Sequence, residues 1–149
     1  GEQWEEESFS QAAARHPGSV GTYIGFNEAL AHKVIGGSDF FVMPSRFEPC
    51  GLGQQYAMRY GSIPIVRRTG GLADTVVPVG EENATGFLFN EPHPHELLDR
   101  IFEAVSIWEY APDEVHRLRM NGMNRDASWE RSAREYSQVY EWAVQARRG

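Results

Sequence analysis

The chain has 149 residues, of which 41% are hydrophobic and 23% are charged, so it can bury one ordinary core. Its formal net charge is −7, with 14 Lys and Arg against 21 Asp and Glu. It therefore lacks the basic footprint of proteins that bind nucleic acid through phosphates. No apolar run approaches the roughly 20 residues of a membrane-spanning helix. The single cysteine excludes an internal disulfide. We expect a cytoplasmic protein with no nucleic-acid or membrane partner.

Strand-like and helix-like segments alternate over the first two thirds of the chain. Caps, breakers and hydrophobic spacing predict, in order, a helix over 4–15, a strand over 20–24, a helix from Asn27 to Ile35, a strand over 40–43, a helix over 52–60, and strands over 63–66 and 87–89. The alternation favours an α/β fold with a parallel sheet covered by helices. Because residues 40–43 are continuously apolar, we expect that strand to be buried on both faces.

The last third is predicted to be helical. Apolar residues recur at helical spacing over 97–108, a second helix is predicted over 112–123, and Ser128 caps a third. The third helix carries an aromatic stripe that includes Trp129 and Tyr136. We expect this stripe to pack against another surface.

The segment Pro44–Gly53 joins a predicted strand to the start of a helix, where open α/β sheets bind ligands. Gly51, Leu52 and Gly53 would place backbone N–H groups at the helix N-terminus, which suits a phosphate or diphosphate. Glu48 could accept hydrogen bonds from sugar hydroxyls or face a developing positive charge. The alternative is that the glycines only form a turn and Glu48 is a solvated carboxylate.

A second segment, residues 67–74, follows the next strand in the same way. The backbone amides of Thr69, Gly70 and Gly71 could meet another group of the same ligand. The alternative is a tight strand-to-helix turn with surface arginines. Two such loops after neighbouring strands favour a ligand site.

Two further features bear on the ligand. Gly25 beside Phe26 could form a shelf on which a base stacks, the alternative being that Phe26 packs as a staple against the following helix. Cys50 has no His near it in sequence, so we interpret it as a wall residue of the crevice and not as a nucleophile. The histidines show no metal-ligand spacing, and we expect no metal or cofactor.

These motifs closely resemble those of bacterial glycogen synthases and plant starch synthases. The resemblance rests on PSRFEPCGLGQ from Pro44, AMRYG from Ala57 and VRRTGGLADTV from Val66, and it extends over essentially the whole chain. It implies a retaining glucosyltransferase that uses ADP-glucose to extend an α-1,4-glucan at its non-reducing end. It also implies that residues 1–149 are part of the C-terminal, Rossmann-like sugar-nucleotide domain of a two-domain GT-B enzyme. The N-terminal acceptor domain would be absent from the chain.

By this resemblance, Glu48 is the carboxylate that contacts the donor glucose and supports catalysis. The substrate-binding residues that it implies are Gly25, Phe26, Arg46, Cys50, Gly51, Leu52, Gly53, Thr69, Gly70 and Gly71. The donor ADP-glucose is a substrate and not a cofactor. We expect the chain alone to be inactive and to self-associate. Two alternatives remain: a non-catalytic module that binds nucleotide or glucan, and a related transferase that uses UDP-glucose.

Overall fold

The computed structural model describes residues 2–148. Its elements in chain order are α1 (Gln3–Arg15), α2 (Glu28–Gly36), β1 (Phe40–Met43), α3 (Gly53–Tyr60), β2 (Ile63–Arg67), α4 (Gly70–Thr75), β3 (Phe87–Phe89), α5 (Pro94–Tyr110), α6 (Pro112–Asn124) and α7 (Trp129–Arg148). The chain divides into two compact units, Gly1–Ala31 and His32–Gly149.

The second unit is built on a parallel three-stranded sheet in the order β1-β2-β3. The register pairs Phe40 with Ile63 and Ile65 with Phe87, so β2 is the central strand. Because the strands are parallel, their carboxyl ends lie at one edge of the sheet. The predicted α/β fold with a parallel sheet and flanking helices is confirmed.

The core lies on both faces of β2. Ile63 and Ile65 point to one face, where they pack with Phe87 and with residues of α5 and α6. Val66 points to the other face and packs with Leu72 of α4. This alternation follows from the two-residue period of a strand.

The prediction that β1 is buried on both faces is wrong. Val42 is 43% exposed, and the other residues of β1 are only partly buried. The reason is that β1 is an edge strand of the sheet, whereas α5 and α6 pack mainly on β2 and β3. A continuous apolar run therefore did not distinguish an edge strand from a central one.

The strand predicted over 20–24 is also wrong, since these residues form no strand. An extended segment becomes a strand only when its backbone groups pair with a neighbouring strand. In the first unit the Thr22 hydroxyl donates to the Phe9 carbonyl of α1 at 3.2 Å. The predicted start of α2 is confirmed, because the Asn27 side chain accepts from the Leu30 amide at 3.0 Å.

The helices predicted for the last third are confirmed, but the aromatic stripe of α7 does not pack as expected. Within the described residues α7 buries none of its side chains, and Trp129 and Tyr136 are 86% and 63% exposed. The stripe stays exposed because α7 makes no extensive contact with the sheet or with the other helices of the described residues.

A search of residues 2–148 found no helix with the length and apolar character needed to cross a membrane.

Candidate functional site

Two glycine-rich loops meet beyond the carboxyl ends of β1 and β2. We call residues 44–53 the first loop and residues 68–71 the second loop. The Gly71 amide donates to the Glu48 carbonyl at 3.2 Å. A Cβ atom on Gly70 would overlap the Glu48 carbonyl oxygen, and one on Gly71 would overlap the carbonyl oxygen of Cys50. These two glycines are therefore required for the contact between the two backbones.

The amides of the second loop are only partly available to a ligand. Thr69 donates to the Arg67 carbonyl at 2.9 Å, and Gly71 donates to Glu48. The Gly70 amide donates to none of the residues that the structure describes. Of the three amides expected to meet a ligand, only that of Gly70 is therefore available, because the other two donate within the protein.

The N-terminus of α3 is open. Its N-cap residue Leu52 gives no side-chain hydrogen bond, and the amides of Gly53, Gln54 and Gln55 have no acceptor within residues 2–148. Gly51 has a left-handed φ of 72°, which turns the chain into the helix. Unpaired amides and the positive end of the helix dipole together form a site for an anion.

Two charged side chains of the first loop have no partner in the described part of the chain. The half-buried Glu48 carboxylate accepts no hydrogen bond and forms no ion pair there, and the exposed Arg46 guanidinium donates none. The thiol of Cys50 is exposed in the same loop. The first loop therefore presents an acid, a cation and open amides close together in sequence.

Arg67 has a structural role that the sequence analysis missed. Its guanidinium donates to the carbonyls of Ser45 at 2.8 Å, Asn90 at 3.4 Å and Arg46. These contacts tie the first loop to the ends of β2 and β3. The alternative of a surface arginine does not describe Arg67, which is half-buried at the end of the central strand.

Gln54, a second residue that sequence reasoning missed, is completely buried beneath the first loop. Its side chain contacts the first loop and also Thr75 at the end of α4. One signal was available, because Gln54 shares the inward face of α3 with Ala57 and Met58.

Gly25 and Phe26 lie in the first unit and are described on their own. Phe26 is 92% exposed, so its ring does not pack as a staple. Gly25 has a φ of 136° and lines a cavity of about 390 Å³ within this unit, together with Phe9 and Tyr23. An exposed ring is available for stacking.

Comparison with known proteins identifies close relatives. Over 93% of its length the chain is 49% identical to the glycogen synthase of Geobacillus thermodenitrificans and 45% identical to that of Actinobacillus pleuropneumoniae. It spans 29% and 30% of the lengths of these relatives.

Solved structures give the same result. The catalytic domain of starch synthase IV from Arabidopsis thaliana, bound to ADP and acarbose, superposes with a TM-score of 0.83 at 36% identity over 96% of this chain and 30% of its own. Sucrose-phosphate synthase from Thermosynechococcus elongatus superposes with a TM-score of 0.67 at 25% identity, over 96% of this chain and 35% of its own. The resemblance drawn from the motifs is confirmed. The family described as glycosyl transferases group 1 matches residues 1–125, and the chain belongs to this family.

Proposed function

We propose that this chain is the donor-binding part of a glycogen or starch synthase, within the C-terminal domain of a two-domain GT-B enzyme. The enzyme would transfer glucose from ADP-glucose, with retention of configuration, to the non-reducing end of an α-1,4-glucan. The observation that carries the proposal is the open N-terminus of α3, which ends the same loop that carries the unpartnered carboxylate of Glu48. A solved relative with this fold is bound to ADP and acarbose, which supports the proposal.

The two loops have complementary tasks in this proposal. The amides of Gly53, Gln54 and Gln55 receive the diphosphate, and they stabilise the negative charge that grows on it as the glycosidic bond breaks. Glu48 orients the glucose and faces the positive charge that develops on the sugar ring. The amides are held in place by α3 before the reaction, so they need little reorganisation in the transition state.

Other candidate residues have roles of their own in this proposal. Arg46 supplies a cation near the diphosphate, and Cys50 forms part of the wall of the glucose pocket. In the first unit, taken by itself, the exposed ring of Phe26 offers a face for stacking with the base of a nucleotide. Thr69 and Gly70 border the site from the second loop, and no metal ion or resident cofactor takes part.

The proposal is tested with the purified protein that carries this sequence at its natural full length. It is incubated with glycogen and either ADP-glucose or UDP-glucose, each labelled in the glucose. We expect incorporation from ADP-glucose, together with release of the label by an α-1,4-specific amylase, which shows retention at the anomeric carbon.

The outcomes separate the alternatives. Preferential incorporation from UDP-glucose supports the related transferase. Binding of ADP or glucan without incorporation supports the non-catalytic module. Absence of both binding and transfer, in a protein shown to be folded, contradicts the proposed function. A Glu48→Gln variant is the matched control for incorporation by contaminating enzymes.

A further inference from the structure

One buried side chain makes hydrogen bonds both to the first loop and to the end of α4. The Nε2 group of Gln54 donates to the carbonyls of Cys50 at 3.2 Å and Gly51 at 2.9 Å, both in the first loop. The same group donates to the Thr75 hydroxyl at 3.0 Å. Thr75 is the last residue of α4, the helix that begins within the second loop. Gln54 thus connects the first loop with α4.

Thr75 continues this connection to the second loop. Its hydroxyl donates to the carbonyl of Gly71, and its own carbonyl accepts from the guanidinium of Arg125. Arg125 also donates to the Asp74 carbonyl at 3.2 Å, so the end of α4 is fixed from the side of α6. The hydrogen bonds therefore form a continuous relay from Gln54 through Thr75 to Gly71. Such chains hold their members in one relative arrangement.

The orientation of the Gln54 amide follows from its neighbours. If its oxygen and nitrogen were exchanged, the oxygen would face the carbonyl oxygens of Cys50 and Gly51, which are both acceptors. In the observed orientation Oε1 is buried and has no hydrogen-bond partner in the described residues. It lies 2.5 Å from the position that a Cβ atom on Gly51 would take.

An unpaired buried acceptor is costly, and a methionine or leucine at this position would avoid it. A role in packing alone therefore does not account for glutamine here. The three hydrogen bonds of Nε2 account for it, since they fix the carbonyls of the first loop relative to α4. A direct hydrogen bond from the Gly71 amide to the Glu48 carbonyl also joins the two loops.

We infer that Gln54 is a positioning residue. Through Thr75 it holds the two glycine loops in the single arrangement that binds the sugar nucleotide and aims Glu48. The Gln54 side chain, in contrast to its backbone amide, acts only through the loops, because it is completely buried. The inference rests on the proposed function.

The test uses Gln54→Met and Thr75→Val in the natural full-length protein, with ADP binding measured by calorimetry and turnover of ADP-glucose by steady-state kinetics. Each variant is expected to weaken ADP binding about tenfold or more and to lower kcat, because sub-ångström displacement of binding groups is expensive in rate and affinity. Thr75→Ser keeps the hydroxyl and should restore values near those of the wild type. The double variant should lose no more ADP affinity than the single variant that binds ADP less tightly, because both substitutions break the same relay.

Ser62→Ala is the matched structural control. Ser62 is 1% exposed at the amino end of β2, and its hydroxyl lies 3.0 Å from that of Ser38. This substitution also removes a buried hydrogen bond, and we expect it to lower Tm without changing ADP affinity. If Gln54→Met does not fold, the comparison of Thr75→Val with Thr75→Ser decides the question.

Two results would overturn the inference alone. One is a folded Gln54→Met protein with the ADP affinity and kcat of the wild type. The other is a Thr75→Val protein whose losses are no larger than those of Ser62→Ala at equal Tm. A folded wild-type protein that does not bind ADP contradicts the proposed function, and the inference with it, before any variant is made.

Discussion

Replacing Gly71 with alanine tests the contact between the two loops most directly. Gly71 is buried, and an added Cβ would overlap the carbonyl oxygen of Cys50 and lie 2.6 Å from its Cα atom. Ordinary van der Waals contact begins at 3.4 Å, so the Cα of Cys50 would have to retreat by about 0.8 Å and its carbonyl oxygen by more than 1 Å. The contacted atoms belong to backbone, so no side-chain rotation can relieve the overlap.

The size of the effect follows from this displacement. Crowding of a packed interior costs about 1–3 kcal/mol of the free energy of unfolding. Loss of the bond between the Gly71 amide and the Glu48 carbonyl adds about 1 kcal/mol. If the loops form the sugar-nucleotide site, a shift approaching 1 Å should reduce catalytic efficiency on the order of a hundredfold.

The assay combines denaturant unfolding with kinetics on ADP-glucose in the full-length protein. Gly21→Ala is the control, because a Cβ atom there meets nothing within 4 Å and the backbone is not left-handed. We expect Gly21→Ala to match the wild type in both measurements. A Gly71→Ala protein with wild-type stability would refute the geometric reasoning. Lower stability with unchanged kinetics would refute the assignment of these loops to the site.

Three further substitutions probe other parts of the chain. Glu48→Gln keeps the shape of the side chain and removes its charge, so kcat should fall by more than ADP affinity does, as measured by kinetics and calorimetry. Gly53→Val would place a Cβ 3.0 Å from the Phe41 ring, so we expect lower thermal stability as well as weaker ADP binding. Hydrogen bonds from two backbone amides of the preceding loop lower the pKa of Glu96 below 4.5. A lowered folded-state pKa stabilises the protein above pH 4.5, and this contribution is lost as the pH falls through that lower pKa. The Glu96→Gln variant should therefore be less stable than the wild type above pH 4.5, and this difference should shrink as the pH falls below 4.5. Denaturation at several pH values measures the difference.

Most of the secondary structure could be predicted because its signals are local. Asn27 marks the start of α2, and Gly61, with a φ of 82°, ends α3. The apolar runs of β2 and β3 identify buried strands because helices cover both of them. The prediction failed where the outcome depends on distant partners, as for Val42 on an edge strand and for the unpaired segment 20–24.

The candidate site was likewise predictable only where its features depend on local sequence. The position of Glu48 and the open start of α3 follow from the strand–loop–helix pattern of the first loop. From the sequence, both glycine loops were predicted to present backbone amides to a ligand, with simple turns as the alternative. In the structure, Gly70 and Gly71 are needed because one loop approaches the other. Such a requirement links residues that are more than 20 positions apart in sequence, so no local pattern reveals it.

The exposed stripe of α7 leads to a last prediction, that the 149-residue chain self-associates. Tyr136 and Tyr140 are 63% and 67% exposed, and their rings lie 6.4 Å apart on one face of the helix. Burying such a ring contributes about 1.5–3 kcal/mol, so a Tyr136→Ser and Tyr140→Ser double variant should weaken association about a hundredfold or more. Sedimentation velocity over a dilution series measures this, with Gln138→Ser on the opposite face of α7 as the control. A wild-type chain that stays monomeric at every concentration, or a double variant that associates as strongly as the control, would show that the stripe does not drive self-association.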